Sequence, residues 1–464
     1  MKKKLWMGVL SSVTAVSLLA GCGTTGDTNT GSSASPQAST PTETKAAEPV
    51  TIKFHSFGSE AQFNWTKVIE GFETKYPNIN VEMVNLSEKG DTQDYAKKLD
   101  LGAASGEAMD VIMFSEAAMY AQRVALGMVA PLDEFIQKEG YKVSEEYKVD
   151  TLLNGKYFAL PGKFNPWYVM MNADHLKEAG LEVPKEWTWD QFADYAKKLT
   201  KGEGANKRYG TYFHGPQGGG WLEFLKLKLA SQPENTEFLK EDGSSNITND
   251  LYRKTLELRY QMEKVDKSST PYTDMISQKL NYRPQIFNQS ASMIVIGSWM
   301  NTELGGTEQF PLNFNVAIAP YPKNAASDPS GYAPVTTDFM AVAASSKNKE
   351  AAYKFVRYYT TEGQLVQGKN VPAWNKVKAE DLGKIVDTIL AATKNPEKVD
   401  KASLMTVLTN AKASKLVSPV SYQADVYKVL NEEYEKFILE KQDLEATIKN
   451  SQERTQKIID SNKK

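Results

Sequence analysis

The chain runs to 464 residues and has one cysteine, Cys22. A lone thiol forms no intramolecular disulfide, so the fold is held without one. Histidine is also scarce, at three scattered residues, which with a single cysteine leaves no ligand set for a zinc site. No cofactor is expected. Charge of one sign is missing too: 55 Lys and Arg stand against 57 Asp and Glu, a formal net charge of −2. Nucleic-acid binding would require a strong basic stripe, so it is excluded. Beyond the N terminus no apolar run approaches the ~20 residues that a spanning helix needs. No Gly-x-Ser-x-Gly elbow, His-Glu-x-x-His pair or internal repeat is present.

What is present begins at the N terminus. Lys2, Lys3 and Lys4 precede an uncharged, mostly apolar stretch from Leu5 to Ala20, and small residues follow. That layout is a secretory signal peptide over residues 1–21. A spanning helix is the alternative, but the run is short and interrupted by Ser11, Ser12, Thr14 and Ser17. Residues 22–47 are almost all Gly, Ser, Thr, Ala and Pro, without apolar periodicity. Such a segment buries too little to order itself and acts as a tether with a reach of roughly 30 Å.

The body after residue 47 is too long for one ordinary core and predicts two domains. Val50, Ile52 and Phe54 alternate with polar residues, which predicts a strand. Ser59 and Gln62 form a capping-box pattern ahead of Trp65, Val68, Ile69, Phe72 and Tyr76 at helical spacing. "INVEM" reads as a second strand, Asp91–Ala103 as a helix, and "DVIMF" as a buried strand. This β-α-β-α-β order predicts an α/β fold with a largely parallel sheet. Further on, "PWYVMM" and "SMIVIGSW" read as strands, Thr188 and Gln191 as a capping box, and the chain from about Ala379 as helical.

Ligands of open α/β sheets bind beyond the carboxyl ends of the strands. The turns there are Ser56–Glu60, Ser115–Ala118, Asn165–Tyr168, His214–Trp221 and Gly297–Trp299, rich in aromatics and neutral hydrogen-bonding groups. That mix suits a neutral, polyhydroxylated ligand, with rings on CH faces and amides or carboxylates on hydroxyls. Eight Trp and twenty-two Tyr supply either large cores or a ring-lined cleft.

Several stretches resemble the family 1 extracellular solute-binding proteins, the sugar-binding receptors of ABC importers. They are "GFETKYPNINVEM", "AASGEAMDVIMF", "ALGMVAPLDEFI", "NGKYFALPG", "GLEVPKEWTWDQFADYAKKLT", "FNQSASMIVIGSW" and "SSKNKEAAYKFVRYYTTEGQ", in the family's order. "MNADHL" departs from the family's usual "YNKDLF", with Met171, Ala173 and His175 in place of Tyr, Lys and Phe. "LAGC", ending at Cys22, resembles a bacterial lipobox, which implies cleavage before that cysteine and its acylation. The resemblance implies two α/β lobes with sugar held in the cleft between them. By analogy one lobe is 48–162 with 323–369 and the other 163–322 with 370–464. It further implies an ABC permease partner, a lipid membrane reached through Cys22, and an extracytoplasmic monomer; the long, sparsely charged tether points to a Gram-positive surface.

The candidate contacts can be weighed individually. Trp299 ends a buried-type strand where the resemblance implies sugar stacking; a core tryptophan is the plainer alternative. Asn165, Trp167 and Tyr168 lie at the first lobe crossing, where hinge packing competes with ligand contact. Glu60 is a hydroxyl acceptor or a helix-start acid, and Glu116 beside Ser115 poses the same choice. His214 and Trp221 flank "GPQGGG", which lacks the Gly-Lys-Ser/Thr ending of a phosphate loop. Asp338 and Trp374 complete the set, the latter placed where some members contact ligand. The expected function is a lipid-anchored carbohydrate receptor, most plausibly for an oligosaccharide. The alternatives are a secreted glycoside hydrolase, needing two spaced carboxylates, and a surface carbohydrate adhesin.

Overall fold

The computed structural model describes residues 49–88, 90–215, 222–414 and 420–463. The signal segment, Cys22, the tether and Trp221 therefore lie outside the described residues. Contacts group Glu48–Lys464 as one unit.

The first strand, β1 (Val50–Ser56), forms as expected, but its alternation fails at the end: His55 and Ser56 are as buried as Phe54. Parallel partners on both sides explain this, since such a strand is covered on both faces. The Ser59–Gln62 capping box is present, yet the helix it opens, Glu60–Phe63, lasts one turn. Asn64 adopts φ 52°, a left-handed value that Asn tolerates, and the chain restarts as α1 (Trp65–Lys75). Trp65 packs edge-on against Phe54 with centroids 5.0 Å apart, which seats α1 on the sheet.

The chain continues through β2 (Ile79–Asn85), α2 (Thr92–Ala104), β3 (Val111–Phe114), α3 (Ala117–Ala125) and β4 (Ala159–Pro161). Next come β5 (Asn165–Asn172), α4 (Trp189–Leu199), β6 (Tyr209–Phe213), α5 (Tyr282–Phe287) and β7 (Ala291–Gly297), which runs straight into a 3-10 turn, Ser298–Glu303. Then follow β8 (Val316–Pro320), β9 (Val335–Thr336), β10 (Phe339–Val342) and α6 (Lys349–Tyr359). The C-terminal part is helical as expected: α7 (Ala379–Ala391), α8 (Lys401–Asn410), α9 (Gln423–Ile438) and α10 (Leu444–Asn462).

Two sheets organise these elements. The first has order β2-β1-β3-β10-β4; the second has order β8-β5-β7-β6, with β9 also on β5. The expected parallel pairing holds for β1, β2 and β3. It does not hold for β10, which returns from the other sheet and pairs antiparallel with β3 and β4. In the second sheet only β6 and β7 are parallel. The chain passes between the sheets at Gly162–Phe164 and again at Thr337–Asp338. A third segment, around Val371–Trp374, bridges to Lys163 and Tyr147. Among the described residues no helix is long and apolar enough to cross a membrane.

Candidate functional site

A cavity of about 540 Å³ lies where the ends of both sheets face the crossing segments. Its first wall comes from the loop after β1 and the one-turn helix: Phe57, Gln62 and Phe63, joined by Ser115 just after β3. Its floor is made by the crossings, with Lys163, Asn165, Thr336 and Asn370. Its second wall comes from His214 after β6, Tyr282 and Arg283 at the start of α5, and Trp299, Thr302 and Glu303 on the 3-10 turn. Strand carboxyl ends thus supply much of both walls, as the topology rule requires.

Trp299 is half-buried, and its position follows from local chemistry. The indole folds back over Gly297, where any Cβ would collide with the ring. Its edge contacts Trp167, with centroids 5.3 Å apart at 83°, and its Nε1–H donates to the Tyr282 hydroxyl at 3.3 Å. His214, 5 % exposed, meets Tyr282 edge-on at 4.8 Å. Burial, and then the nearby Arg283 guanidinium, lower its pKa to about 4, so the ring is neutral at pH 7.

Among the described residues two cations reach the cavity, each compensated. Arg283 donates to both Glu303 carboxylate oxygens, at 2.6 and 2.7 Å, and covers the Tyr282 ring. Lys163 stands 2.9 Å from the fully buried Asp338 and over the Phe63 ring. Burial raises the Asp338 pKa while Lys163 opposes that rise. Two polar atoms are held in reserve: Ser115 Oγ and Asn165 Nδ2 are buried with no protein partner. Asn165 is oriented by the Ser298 hydroxyl, which donates to its Oδ1 at 3.3 Å. Such groups cost free energy unless a ligand or water satisfies them.

The cavity continues sideways. Thr336 also lines a neighbouring space of about 350 Å³. Gln93 lines another, of about 410 Å³, and Glu116 borders both of these rather than the central one.

Of the residues expected from the sequence, Ser115, Asn165, His214 and Trp299 come together in the central cavity. Others are placed elsewhere. Glu60 is exposed, and its carboxylate accepts from the Thr66 amide at 3.2 Å, because the break at Asn64 creates a second helix start for it to cap. Trp167 is buried behind Trp299 and lines a separate groove with Ile318 and Tyr321. Tyr168 is core, its hydroxyl donating to Asn301 at 2.9 Å. Asp338 lies beneath the floor, and reaches the cavity only through Lys163. Trp374 donates to Glu146 at 2.8 Å and does not line the cavity. Sequence reasoning did not single out Phe57, Phe63, Lys163, Tyr282, Arg283 or Glu303. Phe57 lay inside an inspected turn, but nothing local marked the others. Among the described residues no three His, Cys, Asp or Glu side chains gather as a metal site.

Comparison with known proteins agrees with this architecture. A sugar transporter from Rhizobium etli in an open conformation superposes with a TM-score of 0.68 at 21 % identity, covering 88 % of this chain and 99 % of that one. An ABC substrate-binding protein from Listeria monocytogenes, in complex with cycloalternan, gives 0.69 at 21 %, covering 89 % and 100 %. Maltose-bound MalE3 of T. maritima gives 0.65 at 19 %, covering 88 % and 100 %. The fold is therefore the two-lobed, α/β fold of periplasmic binding proteins. The bacterial extracellular solute-binding protein model matches residues 60–366. The chain belongs to the bacterial extracellular solute-binding protein family.

Proposed function

We propose that this protein is a lipid-anchored receptor outside the cytoplasm that binds an oligosaccharide and delivers it to an ABC permease. The observation that carries the reading is the composition of the central cavity. A half-buried indole on one wall and Phe57 and Phe63 on the other offer apolar faces, while Ser115 and Asn165 hold unspent polar atoms. Sugar rings need that pairing of flat apolar surface with neutral hydrogen-bond groups. The adjoining spaces beside Thr336 and Gln93 suit a ligand longer than one ring. The solved relatives named with cycloalternan and maltose support the ligand class.

A hydrolase would need two carboxylates available across a scissile bond. The two that line the cavity are committed: Asp91 caps α2 by accepting from the Gln93 and Asp94 amides, and Glu303 is held by Arg283. This favours binding without turnover.

The lobes in this proposal are residues 48–162 with about 338–369, and 163–337 with the C-terminal helices. The second boundary moves from 323 because β9 pairs with β5. A sugar touching both lobes favours their closed arrangement, and closure is what the permease reads. Anchoring rests on the "LAGC" motif at Cys22. The test is a thermal-shift screen with neutral oligosaccharides, followed by scattering with the best one. Saturation at 100 times the dissociation constant raises stability by about 2.7 kcal/mol. No shift across the screen, or release of cleaved sugar, would remove the receptor reading.

A further inference from the structure

Trp374, which does not touch the cavity, is part of a hub that binds the third crossing segment to the first lobe. Glu146, at the end of the short helix Val143–Glu146, keeps a carboxylate that is 7 % exposed. It accepts from Trp374 Nε1 at 2.8 Å and from Arg357 of α6 at 2.8 Å, and pairs with Lys376 at 3.1 Å. Backbone bonds reinforce this: the Asn375 amide donates to the Glu146 carbonyl at 2.9 Å, and the Lys148 amide to the Ala373 carbonyl at 2.8 Å. Tyr147 and Trp374 are bridge partners, and the Tyr147 hydroxyl bonds Arg357 and Thr360.

Three residues beyond Lys376, the chain enters α7. This helix packs against the 3-10 turn Ser298–Glu303, which carries Trp299, Thr302 and Glu303 into the cavity. The chain leaving its far end is tied to the residues that follow that turn. The Lys394 and Asn395 amides donate to the carbonyls of Gly306 and Gly305, at 3.1 and 2.9 Å, just past the turn. Gly305 allows that approach, since a Cβ there would strike Thr393. So α7 is fixed at one end to the first lobe and at the other to the wall that presents Trp299.

We propose that Glu146, acting through Trp374 and α7, is a positioning residue that couples the angle between the lobes to the placement of Trp299. This rests on Trp299 being a saccharide contact. A nearly buried carboxylate that accepts from Trp374, Arg357 and Lys376 is a firm anchor, and a regular helix of under four turns moves largely as one body. Movement of the first lobe then pushes the ligand wall through α7 rather than dissipating in the crossing segment.

Two measurements test this. The first needs no ligand: the protein is labelled with 5-fluorotryptophan, and the Trp299 fluorine resonance is identified by its loss in Trp299→Phe. Glu146→Gln and Trp374→Phe should each shift that resonance. If it stays in place in both, α7 transmits nothing and the inference is wrong. The second is a double-mutant cycle using maltotriose, xylotriose or cellotriose, whichever binds wild type most tightly. Trp374→Phe should weaken that saccharide about fivefold alone, yet less than about twofold in a Trp299→Ala background, since the two act through one element. Equal losses in both backgrounds would overturn the coupling and restore Trp374 as an independent contact. A drop in ligand-free melting temperature with unchanged affinity would leave the hub as a fold staple only. Absence of any saccharide binding to wild type would sink the receptor reading, while the fluorine arm would still decide the coupling.

Discussion

Replacing Trp299 with alanine separates a ligand contact from a core residue. The indole meets Trp167 edge-on and donates to the Tyr282 hydroxyl. An aromatic pair of that kind contributes about 1 kcal/mol beyond burial, and a neutral hydrogen bond about 1 kcal/mol. Those two contacts come to roughly 2 kcal/mol; with the burial of a half-exposed ring added, the loss should stay toward the lower end of the ~3–5 kcal/mol of a fully buried tryptophan. In a body this large that is a fall of a few degrees in melting temperature. The cost to binding should be greater in proportion: a truncated aromatic anchor loses about 2 kcal/mol or more, a thirtyfold rise in dissociation constant. Calorimetric titration with the best saccharide of the screen, alongside ligand-free melting, measures both quantities. Near-normal affinity in a protein that melts many degrees lower would refute the reasoning, because Trp299 would then be core.

Three further perturbations follow from the same geometry. Gly297→Ala places a methyl group where the Trp299 ring lies, so it should weaken saccharide binding strongly in wild type and little in Trp299→Ala; equal effects in both would show that the ring does not depend on this glycine. His214 has a folded pKa of about 4, below the unfolded value near 6.5, so the unfolded chain binds more protons between those limits and stability falls as pH drops through that window. The full effect is roughly 3 kcal/mol, and His214→Gln should remove that part of the acid sensitivity; identical pH–melting curves for the two proteins would count against a buried neutral ring. Cys22→Ser should release folded, saccharide-competent protein from the membrane fraction, and a variant that stays bound like wild type would end the lipoprotein reading.

The elements that could be read from sequence were those set by neighbours a few residues apart. Both capping boxes formed because Ser59 with Gln62 and Thr188 with Gln191 need only one helical turn to meet. Continuous apolar runs became the buried strands β3, β5 and β7, since nothing else covers such a run as well as a sheet packed on both faces. Trp299 follows the strand as the Gly-Ser-Trp ending suggests, but its ring lies back over Gly297 instead of projecting beyond the sheet. Tertiary structure decided the rest. Glu60 and Trp374 carry the right chemistry for a sugar site, but a break at Asn64 and a buried carboxylate at Glu146 turned both to internal bonds. Lys163, Tyr282 and Glu303 became cavity groups only when two crossings and the second sheet brought positions more than a hundred residues apart to one place. Local propensity acts over one turn or one pleat, whereas a cleft is a property of how the sheets are joined, so the sequence by itself determined the elements and the topology determined which of their side chains share a site.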